Sequence, residues 1–412
     1  MTTENKLAID GGTPVRDTAK RPWPVWPQVS EEQWTTRVEP ALRKVYLSAS
    51  EGLPMSVAQQ FAARFARMHG VRFARMLVHG TDALAAALSA ALDLHICDDA
   101  GEIIVPNYTY IASASAPLDR RFRVCFVDVD PETLTIDPAA LDAAVRPGRT
   151  TAVMPVHLLG HPADMDAVNA VARKHNLIVV EDCAQAHGAK YKGRGVGGLG
   201  HAGAFSFQSS KNLTAGEGGL VTTNDEEIDN RVAAFMNCGR HPRGGRWEYP
   251  RIGWNYRPSE YVAALLSVRL DDLEAQAEHR SRMAAALNRG LAGLPGIHTP
   301  VEADGCTRHA YHMYCMQIDT GQFGGRSRND VVAALQAEGI PCTEGYTTPL
   351  SDQPGMLKLA AKHPDVVRVE DCPNTRRVCS RSIWLYQYLL LTGERDMQDI
   401  VEALAKIQRA FA

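Results

Sequence analysis

From residue 70 to 225 the chain alternates short β-rich runs with amphipathic helical stretches, and this alternation constrains its fold most. The runs are EIIVP (102–106), RVCFVDV (123–129), TAVMPVH (151–157), LIVVED (177–182) and GAFSFQ (203–208). Between them lie helical stretches such as TDALAAALSAALDL (81–94) and DMDAVNAVARKHN (164–176). Strands alternating with helices predict an α/β fold on a mostly parallel sheet. Several runs are apolar on both faces, as a sheet covered by helices on both sides requires. Ligands of such sheets sit outside the carboxyl ends of the strands, so function is sought in the polar clusters there.

The flanks suggest three parts: an N-terminal arm over 1–29, a large domain over 30–265 and a smaller C-terminal α+β domain over 266–412. At 412 residues, the chain exceeds what one compact core usually holds. A helical pattern over 259–291 leads into the second domain, which mixes strands (HAYHMYCMQI, 309–318) and helices (327–339 and 396–411). In the arm, Pro22, Pro24 and Pro27 exclude a regular helix, while Trp23 and Trp26 need a surface to cover.

A net charge of −3 provides no overall basic field, which argues against nucleic-acid and membrane partners. The nine cysteines are scattered without a CxxC pair, so neither a zinc site nor a redox motif is indicated. Free thiols in a reducing cytoplasm, and no metal, are expected. The first thirty residues lack an apolar signal core and no run reaches membrane-spanning length, which predicts a soluble, cytoplasmic protein.

Three clusters fall at strand ends. Gly80-Thr81-Asp82 opens a helix, where free amides and a hydroxyl suit a phosphate, although Thr and Asp also serve as plain caps. The LIVV run ends in Glu181-Asp182, where a carboxylate either holds a pyridinium N–H or is simply a surface acid. In FSFQSSKNLTAGEGG, Lys211 follows Ser206 by five residues, in a turn of small residues. There its amine is either a covalent attachment point or an exposed loop charge.

Taken together, HGTDAL, VPNYTYIASASA, PVHLLGHPADMD, VEDCAQAHGA, FSFQSSKNLTAGEGG and GWNYRPSEY stand in the order expected of one family. The chain resembles the DegT-type sugar and aminocyclitol aminotransferases, fold-type I enzymes dependent on pyridoxal 5'-phosphate. Asn107 and Asp82 depart from the family's usual polar residues and bear on substrate details. The resemblance implies that Lys211 carries the cofactor and moves the proton, while Asp182 pairs with the pyridine nitrogen. Gln185 would lie near the phenolic oxygen and Tyr110 would stack on the ring. Gly80, Thr81 and Ser206 would hold the phosphate, joined by Asn255 from a neighbouring subunit, which implies a homodimer with shared sites.

The arm and CPNTRRVCSRSIWLYQYLLL (372–391) look closest to scyllo-inosose aminotransferases and aminohydroxybenzoate synthases. The implied reaction moves an amino group from L-glutamine or L-glutamate to a keto-cyclitol or keto-sugar, in aminoglycoside-type or other secondary-metabolite synthesis. Elimination with aromatisation on the same cofactor is the alternative, and a non-catalytic ligand-binding descendant is a third. His157, His312, Tyr314 and Tyr386 are candidates for contacts to substrate hydroxyls, each with a structural alternative.

Four further features read as decoys. GRGVGG (193–198) fits a dinucleotide fingerprint in letters, but it leads toward a strand and is expected to be a flexible loop. In HLLGHP, Gly160 and Pro162 break the helix that would set His157 and His161 on one face. Cys183 and His187 lack an orienting third group, and the basic residues Arg240, Arg243 and Arg246 read as a solvated loop.

Overall fold

The computed structural model describes residues 6–48, 56–245 and 247–411, so Arg246 lies outside the described residues. In chain order the strands are β1 (Phe73–Leu77), β2 (Glu102–Pro106), β3 (Arg123–Val127), β4 (Thr150–Val153), β5 (Ile178–Asp182), β6 (Lys190–Tyr191), β7 (Arg194–Gly195) and β8 (Ala202–Ser206). They continue as β9 (Gly219–Thr223), β10 (Ile297–His298), β11 (Cys306–Arg308), β12 (Met313–Ile318), β13 (Cys342–Thr343), β14 (Val367–Val369) and β15 (Ser382–Tyr386).

Eight of them form one sheet in the order β1-β9-β8-β5-β4-β2-β3-β14. The pairs from β8 through β14 are parallel, and β9 runs against both β8 and β1. This is the expected α/β architecture. Every residue of β2, β8 and β9 is buried, as apolar runs on both faces demanded. Helix Gly80–Ala91 explains why alanine dominates its sequence. It is buried continuously from Ala83 to Ala90 and packs on β8 and β9 beneath helices Ala112–Asp119 and Glu226–Met236. A larger side chain there would overpack the layer, at about 1–3 kcal/mol.

Local signals set the element ends. Asp164 caps helix Met165–His175 by accepting from Ala167 N, and Asn176 closes it in the left-handed region at φ 54°. Other ends differ from expectation for identifiable reasons. The run 123–129 stops at Val127 because Asp128 turns to accept from the amides of Asn374 and Thr375. The run 309–318 pairs only from Met313, because Tyr311 adopts φ 47° and the preceding turn lies against Gly160. A Cβ on Gly160 would come within 2.7 Å of Tyr311 N.

The smaller sheet, β10-β12-β15-β13, packs on helices Arg328–Ala337 and Glu394–Phe411. Helix Glu260–Leu291 bridges two cores. Leu266, Leu270 and Leu273 join Phe61, Phe65 and Phe207, whereas Met283, Leu287 and Leu291 join the small-sheet core. The chain then returns β14 to the large sheet beside β3. The arm is tied to the small-sheet side. Trp23 is buried there with its Nε1 donating to Gly339 O, and the Arg16 guanidinium lies 3.7 Å from the Trp23 ring centroid.

GRGVGG is not a flexible loop. It forms the β6–β7 hairpin end and a strap so close to the sheet that a Cβ on Gly197 would meet the Phe205 ring at 2.6 Å.

Candidate active site

Parallel order brings the ends of β1, β5 and β8 to one edge of the sheet, where three loops meet. After β1 the chain enters helix Gly80–Ala91 with His79 as N-cap and no side-chain cap, so the first-turn amides are left for another acceptor. A Cβ on Gly80 would stand 2.6 Å from Ser206 Cβ and 3.0 Å from its Oγ. Only glycine lets this helix start touch the end of β8, and the contact sets uncapped amides beside a hydroxyl. Thr81 is exposed next to them.

At the end of β5, Asp182 is buried. Its Oδ2 accepts from Ser113 Oγ at 2.7 Å and its Oδ1 from Ala184 N at 3.1 Å. Burial raises its carboxyl above the ordinary value, only partly opposed by Ser113, Ala184 and the charge of Lys211. Lys211 lies on the loop after β8, and burial draws its ammonium down to about 8 although Asp182 pulls the other way. The neutral amine, the form that a nucleophile or base needs, is therefore far more accessible near physiological pH than in an ordinary lysine.

Gln185 sits one turn beyond Asp182. Its Oε1 accepts from Leu159 N at 2.7 Å, and its Nε2 donates to Tyr346 Oη at 3.2 Å. Leu159 holds φ 56°, a strained value for a branched residue, and that strain aims its amide at Gln185. Tyr346 packs edge-on against Tyr108 and Trp384, with centroids at 5.4 and 4.8 Å.

The other candidates divide. Tyr110 stands exposed after β2, with 58 % of its surface open. Asn255 is exposed between Trp254 and Tyr256, whose rings stack in parallel, and its side chain has no partner among the described residues. His312 is buried with Nδ1 unpartnered, and it feels the charge of Lys211. Tyr386 stacks on Tyr388 on the smaller sheet.

Two candidates are corrected. His157 is fully buried with both ring nitrogens taken, Nε2 against Glu181 at 2.9 Å and Nδ1 by Ala163 N. Tyr314 is a core residue whose hydroxyl donates to Asn288. Neither can meet a substrate hydroxyl.

His157, Glu181 and Cys183 lie close enough together to suggest a metal. However, the Glu181 oxygens already accept from Gly197 N, Leu199 N and Gly200 N as well as meeting His157. Burial also holds the Cys183 thiol well above its usual value. His187 is enclosed by Phe205 and Phe207 and held neutral by burial. In the basic loop, Arg243 pairs with Glu226 and Arg240 lies over Tyr249.

Sequence reading missed Ser113 and Tyr346. Ser113 was visible inside NYTYIASAS but had no local mark, since its partner is 69 residues away. A groove of about 900 Å³, lined by Ala62, Arg75, Asp229 and Arg257 among others, contains none of these site residues.

The residues present fit pyridoxal phosphate. Uncapped helix amides and Ser206 suit its phosphate, and a buried carboxylate short of a cation suits its pyridinium. Gln185 Nε2 keeps a second N–H beyond the one donated to Tyr346, and the lysine with its lowered value suits the aldehyde carbon. The comparisons agree. The family profile of DegT/DnrJ/EryC1/StrS aminotransferases matches residues 45–405.

Among curated relatives, L-glutamine:2-deoxy-scyllo-inosose aminotransferase of Streptoalloteichus tenebrarius is 37% identical, over 98% of this chain and 97% of that protein. The crystal structure of 3-amino-5-hydroxybenzoic acid synthase superposes with a TM-score of 0.81 at 29% identity, covering 93% of this chain and 98% of that one. An aminotransferase from Psychrobacter cryohalolentis superposes with a TM-score of 0.82 at 30% identity, covering 95% and 100%. The chain is a pyridoxal-phosphate-dependent enzyme that belongs to the DegT/DnrJ/EryC1/StrS aminotransferase family.

Proposed function

We propose that the protein transfers the amino group of L-glutamine to a keto-cyclitol of the scyllo-inosose kind, in the synthesis of an aminocyclitol antibiotic. The observation that carries the chemistry is a buried Asp182 held by Ser113 Oγ and Ala184 N, with no salt bridge among the described residues, near a Lys211 whose ammonium burial draws down to about 8. The substrate class rests on relatives named for 2-deoxy-scyllo-inosose and L-glutamine.

When bound, pyridoxal phosphate supplies an electron sink for the bond broken at the amine-bearing carbon. Lys211 Nζ takes the proton from that carbon of the donor and later returns one to the acceptor carbon. Asp182, whose ionised form Ser113 and Ala184 favour against its burial, would hold the pyridinium proton. Gln185 orients the ring through its remaining N–H, and Gly80, Thr81 and Ser206 grip the phosphate. Tyr110, exposed after β2, would cover one face of the bound ring and shield it from water. His312 and Tyr386 are the remaining candidates for substrate contacts.

The same reading makes the enzyme a homodimer in which Asn255 reaches the phosphate of the partner's site. Support comes from its exposed, unpartnered side chain and from the exposed aromatics Tyr110, Trp247, Tyr249 and Tyr261. The division into 1–29, 30–265 and 266–412 belongs to this proposal, with β14 returning across the boundary. So does a cytoplasmic location, supported by nine unpaired cysteines. No helix among the described residues is long and apolar enough to cross a membrane.

The test is the visible absorbance of the purified protein before and after L-glutamine, followed by product analysis with keto-cyclitols. Bleaching with glutamine and an aminated ring product are expected. A Lys211→Ala protein that retained turnover would overturn the covalent role. An aromatic product would replace transamination by elimination.

A further inference from the structure

The turn between β2 and helix Ala112–Asp119 carries more than Tyr110. Tyr110 is exposed, whereas its neighbour Thr109 is buried, and so is Ser113, four residues further on. Thr109 Oγ1 lies 2.8 Å from Ser113 Oγ, and Ser113 Oγ lies 2.7 Å from Asp182 Oδ2. Among the described residues neither hydroxyl has any other hydrogen-bond partner. The three buried side chains form one unbranched line that ends on the carboxylate at the tip of β5.

The number of available hydrogens fixes the direction of this line. An ionised carboxylate can only accept, so the single hydrogen of Ser113 is committed to Asp182. The Thr109 hydrogen then fills a lone pair of Ser113, and each donor polarises the next. A proton on Asp182 Oδ2 would reverse both bonds. The hydrogen of Thr109 would then be left in the interior without an acceptor, which is costly. The line is complete only when the carboxylate is charged. Burial pushes the Asp182 carboxyl up, so the two hydroxyls offset part of the desolvation that a buried charge carries.

The turn therefore has two faces. Its exposed residue, Tyr110, is the one assigned to the face of the cofactor ring. Its buried residue leads to the acid assigned to the ring nitrogen.

On the reading that Asp182 partners the ring nitrogen, we propose that Thr109 is a positioning residue of the cofactor site. It acts through Ser113 to fix the charge and the aim of the Asp182 carboxylate. Its effect passes entirely through the Ser113 hydroxyl.

The test is the equilibrium binding of pyridoxal phosphate to the full chain freed of cofactor, compared with an analogue whose ring nitrogen is replaced by C–H. Visible absorbance follows both. The parent should prefer the natural cofactor, and Asp182→Asn should erase that preference. Thr109→Val keeps the branched shape but exchanges the hydroxyl for a methyl group. It should weaken binding of the natural cofactor about tenfold and that of the analogue by less than about twofold. Thr109→Ser should restore the parent's preference. Adding Thr109→Val to Ser113→Ala should weaken binding no further, because the two hydroxyls act in series. Thr109→Ala, which cannot overfill the site, keeps the question answerable if the valine variant folds poorly. Equal weakening of both cofactors, or additive losses in the double variant, would overturn the proposal. If Asp182→Asn itself kept the preference, the pairing of Asp182 with the ring nitrogen would fail first, and the role of Thr109 with it.

Discussion

Glu181 and Asp182 are adjacent carboxylates at the end of β5, and their environments are opposite. Glu181 accepts from three amides of the 197–200 strap and meets His157. Burial would raise its carboxyl, but His157 and the amides outweigh that and hold it below its ordinary value. Asp182 has one hydroxyl and one amide, and burial prevails. Successive strand residues face opposite sides of the sheet, so one acid is used up inside the fold while its neighbour is left for a ligand. A completed set of partners marks a structural acid, and an incomplete one marks a functional acid.

The sharpest way to break this comparison is Asp182→Asn. The amide can keep both local hydrogen bonds but cannot hold a pyridinium. Turnover should fall roughly 1,000-fold, about 4 kcal/mol, while thermal unfolding stays near that of the parent protein. A large loss of stability with activity retained would reverse the roles of the two acids.

Glu181→Gln should do the reverse. It sets an amide NH2 against donors already aimed at that position, at about 3 kcal/mol of stability. Equilibrium unfolding at several pH values is the measurement. Because the folded value of Glu181 is lowered, its stabilisation is present above the ordinary carboxylate range and disappears as pH falls through the folded value. Asp182, raised, has the opposite sign, since acid relieves its burial. The Gln variant should therefore show a shallower loss of stability in acid than the parent.

This pair also shows what the sequence could reveal. The large sheet was legible because runs such as 102–106 and 203–208 are short, mostly apolar and alternate with helices that carry clear caps, such as Asp164 and Asn176. Gly80, Asp182, Ser206 and Lys211 were legible because parallel order forces strand ends together. The two acids could not be told apart from LIVVED, because the strap that saturates Glu181 arrives 16 to 19 residues later. Tyr346 reaches Gln185 across 161 residues, and no periodicity encodes that. His157 and Tyr314 had suitable chemistry, but partners fixed by tertiary packing occupy them.

Ser113→Ala tests whether Asp182 is held ionised by its few partners. Removing the hydroxyl leaves Asp182 Oδ2 without a protein donor, so the carboxyl should rise further. Activity should fall about 30-fold, near 2 kcal/mol. The acid limb of the pH–rate profile should move to higher pH, because the ionised form is the working form. A uniform drop at all pH values would mean that Ser113 acts only on packing.

The smallest effect concerns the charge that Asp182 lends to Lys211. With Lys211 near 8, its neutral fraction rises roughly tenfold between pH 7 and 9. Cofactor uptake by the apoprotein, followed by visible absorbance, should accelerate by about that factor over the same interval. The carboxylate of Asp182 stabilises the ammonium, so in Asp182→Asn the midpoint should move to lower pH. In Glu181→Gln, whose charge is spent on the strap and His157, the midpoint should stay at the parent's value. Equal shifts in both variants would mean that the lysine senses the total charge of the strand end rather than the one carboxylate left without a partner.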